Sequence, residues 1–492
     1  MAAAQLGPGL GRRSFLGLSA ASVLGGSGLL AGCSRTPVNS TEAGGAGAPL
    51  TWWDHNVNLQ KANGAAYDAF TGAGGPKVEY TYVQTAKLGQ ALQLAKQSKQ
   101  LPDIHSTAGL DLSVPALIAE GWFHPIEWDD EVVSAFGTDG LVEGLHIFDG
   151  KIYTFPIFAD KQYTAAVWSN SDLTTKAGIE EPPATYDQFC EACRKIQSAN
   201  DDAAGFVFAL GHTGRMNEQI NVMAQAAGFE GSDGSKFATG EIAFDDDAYV
   251  AVFEFFKSLQ TDKLVFSGSS SLDDQTARVR WAAGVAGYYL DGPWCSGTVQ
   301  TEIPAFLPKV NAGPMLTPDE SHPLVAYAGR KGGNYFISSG STRPDQCSTL
   351  LAELAKPAYN VAIADAMAQP PFDLDVVPNS KAVQTWRDLV ASFAETVFIG
   401  PQASLKNPAV SVVNRHSRPV KPGLGELMQG VFSGDVTDIR KELKKLTDAA
   451  SANREQAIAK AKEEGAEVDA DAWAFSNWKP RTDFTAADYK TS

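Results

Sequence analysis

The sequence predicts an α/β fold built around parallel sheet. Three observations point there. Short apolar or alternating runs and amphipathic helical stretches follow one another from residue 50 onward, the signature of strand–helix–strand units. The chain is 44% hydrophobic and 20% charged, an ordinary balance for a soluble globular protein. Its 492 residues suggest two or three compact domains, each able to bury a core without staples.

The elements read as follows. Leu50–Trp53 is a first strand and Gln60–Phe70 a helix. Residues 77–83 (KVEYTYV) alternate with period two and read as a strand. Residues 85–100 carry Leu88, Leu92 and Ala95 at helical spacing, and residues 102–105 lead from a short strand into a loop. In parallel sheets ligands sit beyond the carboxyl ends of strands. That rule selects Trp53, Asp54 and His55, then Gln84 and Thr85, then His105, Ser106 and Thr107. Residues 150–168 break the rhythm with two strands around an irregular, Pro-containing stretch. Phe206–Leu210 reads as a strand, Asp246–Leu259 as an aromatic-rich helix, and residues 279–291 as a helix end running into a strand. A long charged helix spans 436–463, with Ile439, Leu443, Leu446 and Ala450 on one face. No repeat of 20 to 50 residues is evident.

The N-terminus has the layout of an export signal. Arg12 and Arg13 precede an apolar, small-residue stretch from Phe15 to Ala31, short for a spanning helix. The paired arginines with Ser14-Phe15-Leu16 resemble a twin-arginine (Tat) signal, and Leu30-Ala31-Gly32-Cys33 resembles a bacterial lipobox. The resemblance implies a signal peptide over 1–32, cleavage before Cys33 and its acylation. Residues 33–49 are rich in Ser, Gly, Ala, Pro and Thr and read as a flexible tether. The mature protein is then anchored to the membrane without spanning it. Cys190 and Cys193 lie three apart on a helical stretch, while Cys295 and Cys347 stand alone. With no second such pair and no histidine cluster, a zinc site is not indicated. Export permits a disulfide, but the spacing assigns none.

The order of local motifs in the body resembles the bacterial extracellular solute-binding protein family 1, which includes maltose-type binding proteins. The segments that carry it are residues 149–156 (DGKIYTFP), 168–173 (WSNSDL), 177–189 with its Pro182-Pro183 and TYDQF, 281–284 (WAAG) with 288–294 (YYLDGPW), 329–337 (GRKGGNYFI) and 427–434 (LMQGVFSG). Trp168 and Ser169 stand where the family commonly has Tyr-Asn, and Val285 replaces a usual Lys. The resemblance implies a two-lobed, type II periplasmic-binding-protein clamshell with several hinge crossings. One lobe is expected from 50–165 and 328–378, the other from 166–327 and 379–465, and the aromatic tail 466–492 is expected to pack its rings on a lobe. It also implies a substrate-binding component of an ABC importer, working as a monomer on the extracellular face of the membrane, with the permease's transmembrane subunits as partners.

A sugar presents apolar C–H faces and a ring of hydroxyls, so a site for it needs aromatic faces and fixed polar groups. Trp53 with Asp54, and Trp294 with Asp291, supply that combination at strand ends. Trp52 and Trp53 point to opposite faces, so one of them belongs to the core. Asp291 serves equally well as a cap of the turn at Gly292-Pro293. Gln84, Asp160 and Arg215 sit at expected strand ends or crossings. Gly332 and Gly333 permit close backbone approach or a hinge angle. No cofactor or metal is expected. A sugar or oligosaccharide is the expected solute. Polyols and glycerol phosphodiesters remain open, the latter needing cations for which Arg215, Arg330 and Lys331 are the candidates. The net charge of −17 argues against nucleic acid. A carbohydrate-active enzyme would need paired carboxylates or an activated nucleophile, and no GxSxG, HExxH or P-loop pattern occurs.

Overall fold

A computed structural model describes residues 47–491 except Asp111 and Asp139. The expected signal peptide, Cys33 and the tether up to residue 46 lie outside the described residues. The strands that organise the fold are β1 Leu50–Asp54, β2 Val78–Tyr82, β3 Ile104–His105, β4 Phe123–His124, β5 Ala166–Asn170, β6 Ala204–Val207, β7 Ala286–Asp291, β8 Val310–Gly313, β9 Ala326–Ala328, β10 Phe336–Ser338 and β11 Val397–Ile399.

The first lobe holds a five-stranded sheet in the order β2-β1-β3-β10-β4. β1 runs parallel to β2 and β3, and β10 lies antiparallel between β3 and β4. The period-two alternation of β1 decides its faces. Leu50 and Trp52 enter a core with Leu59, Phe70, Phe155 and Ile337, where the Trp52 ring lies 4.6 Å from Tyr335 and 5.2 Å from Tyr67. Trp53 packs on the other side, against a cluster containing Leu88 and Leu92 of the helix Thr85–Gln97. That helix ends three residues before the sequence reading placed its end, because Lys99 takes a left-handed φ of 58°.

The second lobe holds a four-stranded sheet, β8-β5-β7-β6. Every residue of β5 and β7 is buried, as expected for strands covered on both faces. The helices Tyr186–Ala199 and Asp247–Thr261 cover one face with an aromatic layer. Tyr186 stacks on Phe255 at 4.1 Å, and Phe208 on Phe256 at 4.5 Å. Thr185 and Asp246 cap these helices through side-chain bonds to Gln188 N and Ala248 N. β6 starts earlier and stops earlier than the sequence suggests. Its ladder with β7 runs from Ala204 to Val207, after which Phe208 N turns to Ser269 Oγ and Gly211 N to Leu272 O.

The chain passes between the two cores three times. Phe158 belongs to the first core and Tyr163 to the second; Ala326 to the second and Tyr335 to the first; Phe372 packs on the first and Val377 in the second. β9 and β11 pair in parallel beside the second crossing. The long helix Ile439–Glu463, capped by Asp438, buries Ile439, Leu443 and Leu446 in the second core. Beyond it Phe475, Trp478 and Phe484 pack with Phe237 and Tyr327. Asp483 of this segment accepts from Ile399 N at 2.8 Å and pairs with Lys161 Nζ at 2.8 Å, tying the C-terminal stretch to the first crossing. Among the described residues no helix is long and apolar enough to cross a membrane. Cys190, Cys193, Cys295 and Cys347 are buried free thiols.

Candidate ligand-binding site

The carboxyl end of β7 builds the centre of the candidate site. Asp291 is fully buried, and all of its acceptor capacity is directed inward. Its Oδ2 receives Arg278 Nε at 3.1 Å and Nη2 at 2.6 Å, and its Oδ1 receives Gly292 N at 2.9 Å and Trp294 Nε1 at 2.8 Å. Asp291 therefore braces the turn and fixes the indole of Trp294. The ring folds back over Gly292, where an added Cβ would meet ring carbons at 2.3 Å. Trp294 is half-buried, and the Arg215 guanidinium stands 4.7 Å from its ring centroid, a cation–π distance. Arg215 also pairs with Glu218 at 2.5 Å.

Next to this group His212 Nδ1 meets Asp274 Oδ1 at 2.9 Å. The hydrogen bond to Asp274 raises the His212 pKa, against burial. Burial opposes ionisation of Asp274, but the His212 bond and the charges of Arg215 and Arg278 outweigh it and hold this carboxyl below the usual range. Across the seam, Gln84, the residue preceding the helix Thr85–Gln97, donates to Gln275 Oε1 at 3.4 Å, and Gln275 donates to Glu302 Oε1 at 3.3 Å. Tyr82, 40% exposed at the end of β2, has its phenol pKa raised by burial and by the nearby Glu302 and Asp274 charges.

Asp54 is placed differently from its neighbours in sequence. It is fully buried, and its oxygens receive Tyr335 Oη at 2.8 Å, Asn63 Nδ2 at 3.2 Å, His55 N at 2.7 Å and Asn56 N at 3.1 Å. Burial raises its pKa against the pull of His55 and the Tyr335 bond. His55 Nδ1 lies 2.8 Å from Ser106 Oγ, joining the ends of β1 and β3. Trp53 is half-buried and packs against the cluster that holds Leu88 and Leu92.

The remaining candidates lie in the crossings. Asp160 binds two residues of the second crossing, taking Lys331 N at 2.7 Å and Arg330 Nε at 3.0 Å. The Lys331 ammonium reaches Gln369 Oε1 at 3.3 Å, and burial lowers its pKa to about 7 against the charge of Asp160. Gly333 lies against Thr154 and Phe155, so that an added Cβ would sit 1.9 Å from Thr154 Oγ1, whereas Gly332 has open space beside it.

The structure thus brings Arg215, Asp291 and Trp294 together, sets Gln84 across the seam from Gln275, and places Asp160, Gly332 and Gly333 in a separate cluster at the crossings. Sequence reasoning did not single out Arg278, Asp274, Gln275, Tyr82 or Gln219. Gln219, which donates to Leu290 O at 3.0 Å next to Asp291, follows Arg215 by one helical turn, a spacing that shares a face, and Tyr82 stands one residue before Val83 at the end of a recognised strand. The partnership of Arg278 with Asp291 left no local signal.

The sequence profile of the bacterial extracellular solute-binding protein family matches residues 65–391. Curated relatives from Brucella abortus (strain 2308) and Brucella suis biovar 1 (strain 1330), which carry the provisional name of binding protein, are 25% identical over 216 residues, 42% of this chain. The chain spans about half the length of these relatives, 50%. Among solved structures, a solute-binding protein of Thermotoga lettingae TMO bound with α-D-tagatose superposes with a TM-score of 0.61 at 19% identity, covering 82% of this chain and 99% of its own. The maltotriose-binding protein of Thermus thermophilus gives 0.60 at 17%, covering 83% and 100%. The acarbose-binding receptor of Streptomyces glaucescens GLA.O gives 0.60 at 17%, covering 85% and 98%. These likenesses establish the type II two-lobed fold, and both the family and the solved neighbours are binding proteins. The chain belongs to the bacterial extracellular solute-binding protein family.

Proposed function

We propose that this protein captures a sugar or oligosaccharide between its two lobes and presents it to the transmembrane subunits of an ABC importer, working as a monomer held outside the cell by a lipid on Cys33. The observation that carries the reading is Trp294. Its indole is fixed at a strand end by Asp291 Oδ1 at 2.8 Å, and with the Arg215 guanidinium 4.7 Å from its centroid the ring is still only half-buried. A fixed aromatic plane beside polar groups is what a hydroxylated ring requires. The solved neighbours with tagatose, maltotriose and acarbose agree in fold with this chemistry. Closure about the crossings near Asp160 and Lys331 is the motion that would enclose the solute.

A thermal-shift screen against tagatose, maltotriose, raffinose and β-1,6-galactobiose identifies a binding sugar by its stabilisation of the folded state. Trp294→Ala is expected to weaken that sugar's binding at least tenfold in calorimetry, about 1.4 kcal/mol, with the fold retained. Unchanged affinity would remove Trp294 from the site. Cys33→Ala is expected to move the protein from the membrane fraction to the soluble fraction. Continued attachment would refute the lipid anchor.

A further inference from the structure

We propose that Gln219, with Thr164 beside it, forms a polar reader of the ligand site that accepts a hydroxyl group and disfavours an anionic one; this deepens the sugar-binding reading and rests on it. Gln219 is 1% exposed. Its amide nitrogen donates to Leu290 O at 3.0 Å and to Thr164 O at 3.4 Å, which uses both N–H hydrogens. Turning the amide over would set its oxygen against two carbonyl oxygens, so the two main-chain groups dictate its orientation. The atom left over is therefore an acceptor. Gln219 Oε1 is buried and has no hydrogen-bond partner among the described residues. Buried polar atoms in native proteins are normally satisfied, and those that are not call for a physical reason.

The surroundings supply the reason. Arg215 lies one helical turn before Gln219 and covers the ring of Trp294. Leu290, which Gln219 grips, precedes Asp291, which holds the indole of Trp294. Thr164 stands two residues before Ala166, the partner of Asp291 in the β5–β7 ladder. Among the described residues two further polar atoms of this patch have no hydrogen-bond partner, Arg215 Nε and Thr164 Oγ1. The patch thus offers a fixed acceptor, a cationic donor and a hydroxyl able to do either. A ligand hydroxyl satisfies both kinds at once, donating to Gln219 Oε1 while accepting from Thr164 Oγ1. A phosphate or carboxylate oxygen carries no hydrogen for Gln219 and is repelled by its carbonyl dipole. The chemistry selects a neutral polyhydroxy solute over a phosphodiester, although Arg215 alone would suggest the opposite.

The test is calorimetry on the full-length protein with tagatose, maltotriose, raffinose and β-1,6-galactobiose, and with glycerophosphocholine as the phosphodiester. The wild type is expected to bind at least one of the sugars and to bind glycerophosphocholine more weakly. Gln219→Met, matched in length but without the acceptor, is expected to lose at least tenfold in affinity for that sugar. A singly deoxygenated analogue of the sugar should lose a similar factor against the wild type and little against Gln219→Met, a coupling that a purely structural role of Gln219 would not produce. Equal sugar affinity in wild type and Gln219→Met, or the absence of any such coupling, overturns this inference and leaves the sugar reading standing. Preference for glycerophosphocholine over every sugar overturns it as well. If none of the sugars binds the wild type, it is the sugar reading itself that fails. Should Gln219→Met not fold, Thr164→Val decides the matter, since it preserves the main-chain bonds: at least threefold weaker binding supports the reader and unchanged binding overturns it.

Discussion

Replacing Asp291 by Ala is expected to cost the fold roughly 3–5 kcal/mol, the range for a buried ion pair that loses one partner. The Arg278 side chain is only 5% exposed, and Asp291 Oδ2 takes hydrogen bonds from both its Nε and Nη2. Truncation strands a guanidinium in the second core beside Tyr289 and Cys295, which offer it no opposite charge of similar quality. It also frees Gly292 N and the indole of Trp294. Asp291→Asn keeps an oxygen for those two donors but loses the charge, and should fall between wild type and Asp291→Ala. The double change Arg278→Met with Asp291→Asn should recover part of the loss, because the unpaired charge is gone. Urea unfolding at neutral pH measures all three. A loss under about 1 kcal/mol for Asp291→Ala would mean that Arg278 finds water or another partner, against the burial described above. The proposed solute binding should fall in Asp291→Ala even at temperatures where it remains folded, since Trp294 loses the bond that orients it.

Acid should destabilise the protein well before ordinary carboxylates titrate. His105 is fully buried at the end of β3, and burial, with the charge of Lys96, lowers its pKa to about 4 against its bond to Ser106 O. His146 is 2% exposed, and burial, with the charge of Arg330, lowers its pKa to about 4. An unfolded histidine titrates near 6.5. Between these values the unfolded chain binds protons that the folded chain refuses. The stability these groups contribute is complete above about pH 6.5 and is lost as pH falls toward 4. His212, raised by Asp274, works in the opposite sense, as does Asp54, whose carboxyl burial raises. From pH 6.5 to 5 the two buried histidines alone would lose roughly 3 kcal/mol; His55, which burial also lowers, adds to that loss, and His212 and Asp54 subtract from it. Urea midpoints at pH 7.5, 6.5, 5.5 and 5 would reveal it, and the variant carrying His105→Gln and His146→Gln should flatten the profile. A midpoint independent of pH over that range would disprove the refusal of protons by these two side chains.

The candidate site was legible in part. Trp294, Arg215 and Asp291 could be picked out because each stands at a strand end or next to one, and strand ends are visible in local periodicity. Their division of labour was not. Asp54 and Asp291 look alike in sequence, each an aspartate close to a tryptophan at the end of an apolar run. In the structure both are enclosed: Asp54 by Tyr335, 281 residues away, and Asp291 by Arg278 and the indole of Trp294. Trp52 and Trp53 show the same limit. Alternation says that they face opposite ways, but both faces of the first sheet turn out to be covered.

Several features of this protein were determined by the sequence alone: the alternation of strands and helices, and the motif order that marks its family. Each depends on residues within a few positions of one another, where backbone geometry imposes a fixed period. The tertiary structure alone decided which polar groups are spent and which remain. Hydrogen-bonding capacity is consumed by partners from distant segments, as Gln219 shows, whose donors are taken by Thr164 and Leu290 while its oxygen has no partner among the described residues. A side chain's chemistry is written in the chain, but its availability is settled only when burial removes water and the fold chooses what replaces it.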